Sequence, residues 1–233
     1  MKQRFELNVK PFCLGILVGL GVLLPLGMAH ASIASTKHNL STSGTGTVKS
    51  TDETEICIFC HTPHQAIKND NIPLWNHTLS SEASYGVYTS PTFDGASSVA
   101  DLGGTNAATA AVSNLCLSCH DGTIAINSLN NPSNALGGNN PTMTGTGAGG
   151  VMPSGTSNIG NDLTDDHPVN FRYDTALATT DGALADPATL TGVRLFNGFV
   201  QCASCHDPHE SVNPAFLRVD NAGSALCLKC HNK

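Results

Sequence analysis

Aromatic residues make up 5% of this 233-residue chain and charged residues 12%. That leaves too little large apolar surface to offset the entropy of fixing so long a chain, so a core of side chains alone is excluded as the main source of stability. Basic residues number 11 against 18 acidic ones, for a formal net charge of −7. A balance of that sign excludes nucleic acid as a natural partner. Methionine is scarce: beyond the N-terminal region only Met143 and Met152 remain, both in Gly-rich sequence. Spare cysteine is missing as well. Eight of the nine cysteines lie in four close pairs and the ninth, Cys13, sits in the N-terminal apolar run, so none is left for a structural disulfide.

What is present is one pentapeptide, four times: Cys57-Ile58-Phe59-Cys60-His61, Cys116-Leu117-Ser118-Cys119-His120, Cys202-Ala203-Ser204-Cys205-His206 and Cys227-Leu228-Lys229-Cys230-His231. Two thiols three positions apart can each add to one vinyl group of a haem, and the adjacent His then presents its imidazole to the iron. A Cys-x-x-Cys pair alone also serves redox dithiols, zinc sites and disulfides. The fifth residue decides, because His follows all four pairs; a zinc ribbon made from the last two pairs leaves His206 and His231 unexplained. Each copy therefore reads as one covalent haem c, numbered first to fourth in chain order, four in all.

Lys2, Arg4 and Lys10 precede an apolar run from Phe12 to Met28, closed by Ala29-His30-Ala31. This is the layout of a secretory signal peptide over residues 1–31, cleaved to leave one tetrahaem cytochrome domain over 32–233. Export agrees with haem attachment, which takes place outside the cytoplasm. Removal of Lys2, Arg4, Lys10 and Glu6 leaves 8 basic and 17 acidic residues, a formal charge of −9.

Four apolar macrocycles bonded to the chain would serve as its core, so the expected fold is mostly irregular coil with a few short α-helices and a small β-hairpin, wrapped around four covalent haems. Ser50 to Glu55 offers caps for a short helix carrying the first motif. Thr105 or Asn106 would cap a longer helix running into the second motif, and Ser224 would cap the fourth. Residues 132–160 read as a long Gly-rich surface loop. Two apolar runs joined by Asn197-Gly198, from Val193 to Val200, read as the hairpin.

A second axial ligand for each iron must come from elsewhere in the chain, and it decides between carrier and enzyme. Five histidines lie outside the motifs: His38, His64, His77, His167 and His209. His64 and His209 each follow a motif histidine by three residues. That is about 10 Å of chain, too short to pass round a porphyrin to its far face. Each is therefore expected to reach a different haem, His209 the fourth and His64 the second. His167 is expected to complete the third, and His38 the first haem or one on a neighbouring molecule. His77 is expected to pack beside Trp75 over a haem edge.

Lys37-His38-Asn39-Leu40-Ser41, Cys57 to His64 followed by Pro73-Leu74-Trp75-Asn76, Cys116 to Gly122, Asp166-His167-Pro168-Val169, Cys202 to His209, and Phe216-Leu217-Arg218 before Cys227 to Lys233 together resemble the OmcE-type tetrahaem cytochromes. The resemblance runs over nearly the whole of 32–233. It implies bis-histidine haems in irregular coil, with His38, His64, His167 and His209 as distal ligands beside His61, His120, His206 and His231. It further implies subunits that polymerise head to tail into extracellular filaments, one axial histidine crossing the interface. On these grounds the chain is expected to carry electrons rather than act as an enzyme, with other copies of itself, redox cytochromes and electron acceptors as partners, and to be extracellular or at the cell surface, otherwise periplasmic. The rival expectations are a soluble periplasmic carrier and a multihaem reductase with one open haem.

Overall fold

The motif pairs are spaced for a single turn of helix, and that is what each forms. The computed structural model describes residues 32–69, 72–97, 102 and 111–232. Its regular elements are β1 (Lys49–Ser50), β2 (Ile67–Asn69), β3 (Ile72–Trp75), β4 (Gly86–Val87), α1 (Val112–His120), β5 (Met143–Thr144), β6 (Asp162–Leu163), β7 (Phe171–Arg172), α2 (Thr175–Asp181), β8 (Phe199–Val200) and α3 (Cys202–Cys205). The remainder is coil with single 3₁₀ turns. The strands form four two-stranded ribbons: β1–β5, β2–β3 and β7–β8 antiparallel, and β4–β6 parallel. Among the described residues no helix is long and apolar enough to cross a membrane. The signal-peptide expectation falls on residues outside the described ones, as do Thr105 and Asn106.

Among the described residues, most buried apolar side chains gather in four small clusters. The first joins Leu79, Val112 and Leu115, the second Tyr85, Leu102, Leu117 and Leu163, the third Phe171, Tyr173, Ala178 and Val200, and the fourth Ile58, Phe59 and Leu129. Buried amides and hydroxyls connect them. Asn76, fully buried, donates to the carbonyls of Ile58 (2.6 Å) and Asn131 (3.1 Å) and accepts from the Asn131 N–H (2.8 Å). Gln201 accepts the N–H and hydroxyl of Ser113 on α1 and donates to Asn170, while Ser113 Oγ accepts the Cys202 N–H, so the second and third motifs are fastened together. A satisfied buried amide specifies geometry where apolar contact is thin.

Several local expectations are corrected. Ser50 caps no helix: it lies in β1 and its hydroxyl accepts the N–H groups of Asp52 and Glu53 in a turn, leaving the first motif on a 3₁₀ turn, Cys57–Phe59. Ser224 has φ +62° inside a 3₁₀ turn; Asn221 Oδ1 accepts the Leu226 N–H instead. The turn at Asn197-Gly198 forms, both residues at positive φ as a type I′ turn requires, and Phe196 and Phe199 exchange two backbone bonds. The ribbon, however, is β8 with β7, because the segment before the turn leaves the ladder to pack Leu195 against the third cluster. The Gly-rich stretch 132–160 is pinned by β5 and by Asn127, which donates to the Pro141 carbonyl.

Candidate haem-binding site

In every motif a backbone bond closes one turn back to the first cysteine or near it. The N–H groups of His61, His206 and His231 reach the carbonyls of Cys57, Cys202 and Cys227, at 2.8, 3.1 and 2.9 Å. In α1 the turn after the motif closes from Asp121 N–H to Leu117 O. Residues i and i+3 share a face of such a turn, so the two thiols of each motif point the same way. Sequence reasoning missed how the motif histidines are then held. His61 bridges to Trp75, His206 to Leu217 and His231 to Leu184 as isolated antiparallel β-bridges, and the His120 carbonyl accepts the Ile159 N–H. Each proximal imidazole thus hangs from a backbone fixed on both sides. No local pattern announces these bridges, because their partners lie between 11 and 47 residues away across stretches of coil.

The cysteines of successive motifs lie near one another. The Cys60 thiol lies within electrostatic reach of Cys119, Cys116 hydrogen-bonds Cys202, and Cys205 lies within reach of Cys230. Burial pushes the thiols of Cys60 and Cys119 up to about 12. In the Cys116–Cys202 pair the shared hydrogen bond raises the first thiol and lowers the second. Each attachment point therefore lies near the next one in chain order.

The histidines pair across the fold. Ring centroids of His61 and His209 stand 6.1 Å apart, those of His38 and His120 6.1 Å, and those of His167 and His231 6.5 Å. An iron bonded to two imidazole nitrogens at about 2 Å each, with each ring centre about 1 Å behind its nitrogen, sets centroids about 6 Å apart. The three pairs fit that span. Hydrogen bonds also set the tautomer: Nδ1 of His120 faces the Ser157 carbonyl (2.6 Å), of His206 the Ala215 carbonyl (2.8 Å), of His167 the Pro168 carbonyl (2.9 Å) and of His209 the Asp207 carboxylate (3.3 Å). An imidazole donating from Nδ1 keeps the Nε2 lone pair for a metal. At Gly122, φ +73°, a Cβ would sit 2.6 Å from Asn158 Nδ2, so glycine there lets the 152–159 segment close over His120.

These pairs revise the expected assignments. His209 faces the first motif's histidine and not the fourth's, His167 faces the fourth's and not the third's, and His38 faces His120 of its own chain. The reason for His38 is the segment around it. Asn39, almost fully buried, donates to the Ala34 carbonyl and Ser43, while its Oδ1 accepts from the N–H and hydroxyl of Ser41, and Leu40 packs the segment against the fourth cluster. His38 is held neutral, its pKa lowered to about 4 by burial first and by His120 and His209 next. His64, expected at the second haem, is exposed, with only its backbone engaged, by Thr62 and Asn131. Among the described residues no second imidazole ring lies across from His64 or His206. His77 is buried and both ring nitrogens face carbonyls, Nδ1 that of Thr78 (2.9 Å) and Nε2 that of Ala125 (3.0 Å); burial lowers its pKa. It bridges to Leu129, and it is His61 that Trp75 meets, edge-on at 6.2 Å.

When bound, haem iron cycles between its ferric and ferrous states. The cysteine pairs would hold each macrocycle by two thioethers, and the three facing histidine pairs could each offer an imidazole from either side. A family model described as "Doubled CXXCH motif" matches residues 197–233, which hold the third and fourth motifs. No curated protein matches the chain. The motif match supports a multihaem c-type cytochrome, with haem c covalently bound at these cysteines and electron transfer as its work.

Proposed function

We propose that the protein carries four haems, one per motif, and passes electrons along them as an exported carrier that performs no bond chemistry on a substrate. The observation that carries this reading is that attachment cysteines of successive motifs lie near one another, Cys116 hydrogen-bonded to Cys202, and Cys60 and Cys205 within electrostatic reach of Cys119 and Cys230. Edges of consecutive macrocycles bonded at those points are neighbours, so electrons need no mobile intermediary within the subunit. The chain resembles the OmcE-type cytochromes, and the proposal includes their head-to-tail extracellular filament. What supports assembly is that His64 is exposed and that, among the described residues, no own-chain imidazole lies opposite His206. A His64 supplied by the next copy would complete the haem at His206, and such a heterologous contact propagates as a filament if its rotation does not close. His206 equally favours a second reading, a reductase with that one haem open to a small molecule.

Intact-mass measurement of secreted protein tests the haem count. The expected mass is that of residues 32–233 plus four haems, and a mass with fewer haems overturns the count. Light scattering and carbon monoxide binding separate the remaining readings. Polymer that binds no carbon monoxide is the expected result. Monomer that binds one equivalent in the reduced form refutes assembly and gives the reductase reading its open site.

A further inference from the structure

Immediately after His120 lies Asp121, only 5% exposed. Its Oδ2 accepts the Tyr85 hydroxyl and the Ser80 hydroxyl, each at 2.5 Å, and its Oδ1 accepts the N–H and hydroxyl of Thr123, each at 2.8 Å. A side chain taking four donors is held as the acceptor-only carboxylate. Tyr85, one of those donors, belongs to the cluster of Leu102, Leu117 and Leu163, so the charge sits against apolar packing and not in solvent. No lysine or arginine pairs with it among the described residues. Its field reaches both the Cys119 thiol and the buried His77 ring. Burial, and then the hydrogen bond to Asp121, raises the Tyr85 phenol, so this donor stays protonated across the ordinary pH range.

We propose that Asp121 is a built-in negative charge that lowers the reduction potential of the haem held by Cys116, Cys119 and His120 relative to the other haems of the chain. The inference rests on the multihaem reading. Ferric haem bears one more positive charge than ferrous haem, so a fixed anion beside it favours the oxidised form. A unit charge about 10 Å away at an effective dielectric of about 20 biases the oxidised-to-reduced ratio by about tenfold. Asp121 is a positioning and tuning residue here, its carboxylate oxygens committed to Tyr85, Ser80 and Thr123.

The test is potentiometric titration of the intact haem-loaded protein, followed optically and by electron paramagnetic resonance. In Asp121→Asn one of the one-electron steps should move up by about tenfold in its redox equilibrium, which is about 59 mV, while the others stay. The step that moves should belong to the haem whose low-spin signal turns high-spin when His38→Ala opens the His120 site. Tyr85→Phe removes a donor but keeps the charge, so the same step should move the other way; a merely structural role predicts the same sign for both variants. Unchanged steps in both variants, or a uniform drift of all of them, overturn the proposal. If Asp121→Asn does not mature, Tyr85→Phe alone decides by whether that step falls. A peptide containing Cys116 and Cys119 that carries no haem refutes the haem reading itself, which distinguishes the two failures.

Discussion

Replacing His209 by Ala asks directly whether the fold threads the third motif's segment back to the first. The ring of His209 stands 6.1 Å from His61, parallel within 14°, and alanine carries no donor atom to span that gap. One haem should turn high-spin, so the variant should gain one carbon monoxide site over the parent. The linkage closes a loop from residue 61 to residue 209, 148 residues long. In the chain-entropy limit a cross-link of that length contributes about 5 kcal/mol, so a measurable loss in a guanidinium titration should accompany the spectral change. The decisive assay repeats the substitution in two backgrounds. Where Cys57→Ala and Cys60→Ala have removed the first haem, His209→Ala should add no carbon monoxide site. Where Cys227→Ala and Cys230→Ala have removed the fourth, it should still add one. The opposite pattern would refute the pairing with His61 and restore the fourth haem as the partner of His209.

His38→Ala should add one carbon monoxide site to the isolated monomer over the parent monomer, because its ring faces His120 of the same chain at 6.1 Å; an added site confined to polymer would contradict the pairing. Gln201→Ala strips the partner from two donors of Ser113 and one acceptor of Asn170, which should cost about 1–3 kcal/mol of stability with the haem spectrum unchanged below the transition. His77→Ala should destabilise by a similar amount, about 1–3 kcal/mol, and leave all low-spin signals in place, since the buried ring lies between the carbonyls of Thr78 and Ala125 and donates to one of them. A new high-spin haem in His77→Ala would mean that His77 is a ligand after all.

The motifs are legible in the sequence because their chemistry is local. A Cys-x-x-Cys-His run needs only one helical turn to set two thiols on one face, and each of the four runs folds as such a turn. The distal histidines are legible as a set and illegible as partners. His64 and His209 share the same three-residue spacing after a motif histidine, yet one faces His61 and the other stands in solvent, because the segments downstream of them are tied differently. His209 lies on a segment held back by Arg218, which donates to Asp207 (2.8 Å) and to the Ala203 carbonyl (2.8 Å). His64 precedes the β2–β3 ribbon, and the Asn131 amide that donates to its carbonyl (3.1 Å) holds the backbone with the residue exposed. The segment around His38 is poor in apolar residues, so its sequence leaves open whether His38 serves its own chain or a neighbour. Asn39 and Ser41 fold it with side-chain hydrogen bonds, which hydropathy does not register.

The histidine pairs also explain how so polar a chain holds a fixed shape. His38 meets a residue 82 positions on, His61 one 148 on, and His167 one 64 on, so each pair closes a long loop and each interval overlaps the next. In an ordinary domain contacts at such range come from a continuous apolar core. Here the apolar clusters are four small ones, each anchoring the segment around a motif. A metal–ligand bond shared by two distant imidazoles couples binding to folding, because the unfolded chain has no preformed site. The polar linkers then need only satisfy their own backbone, which Asn76, Gln201 and Asn39 do from buried positions. Substitutions should therefore cost little in the glycine-rich connections and much beside a ligand. Gly147 has φ −73°, and a Cβ there would meet nothing closer than 3.5 Å, so Gly147→Ala should stay within about 0.5 kcal/mol of the parent. Gly122, next but one to His120, has φ +73°, and its Cβ would displace Asn158, which donates to the Met152 carbonyl at 2.9 Å. The left-handed backbone alone costs alanine about 1–2 kcal/mol, so Gly122→Ala should lower the guanidinium midpoint and disturb the spectrum of one haem, that of His120. Equal losses in the two variants would refute the view that stability is concentrated at the ligand-bearing segments.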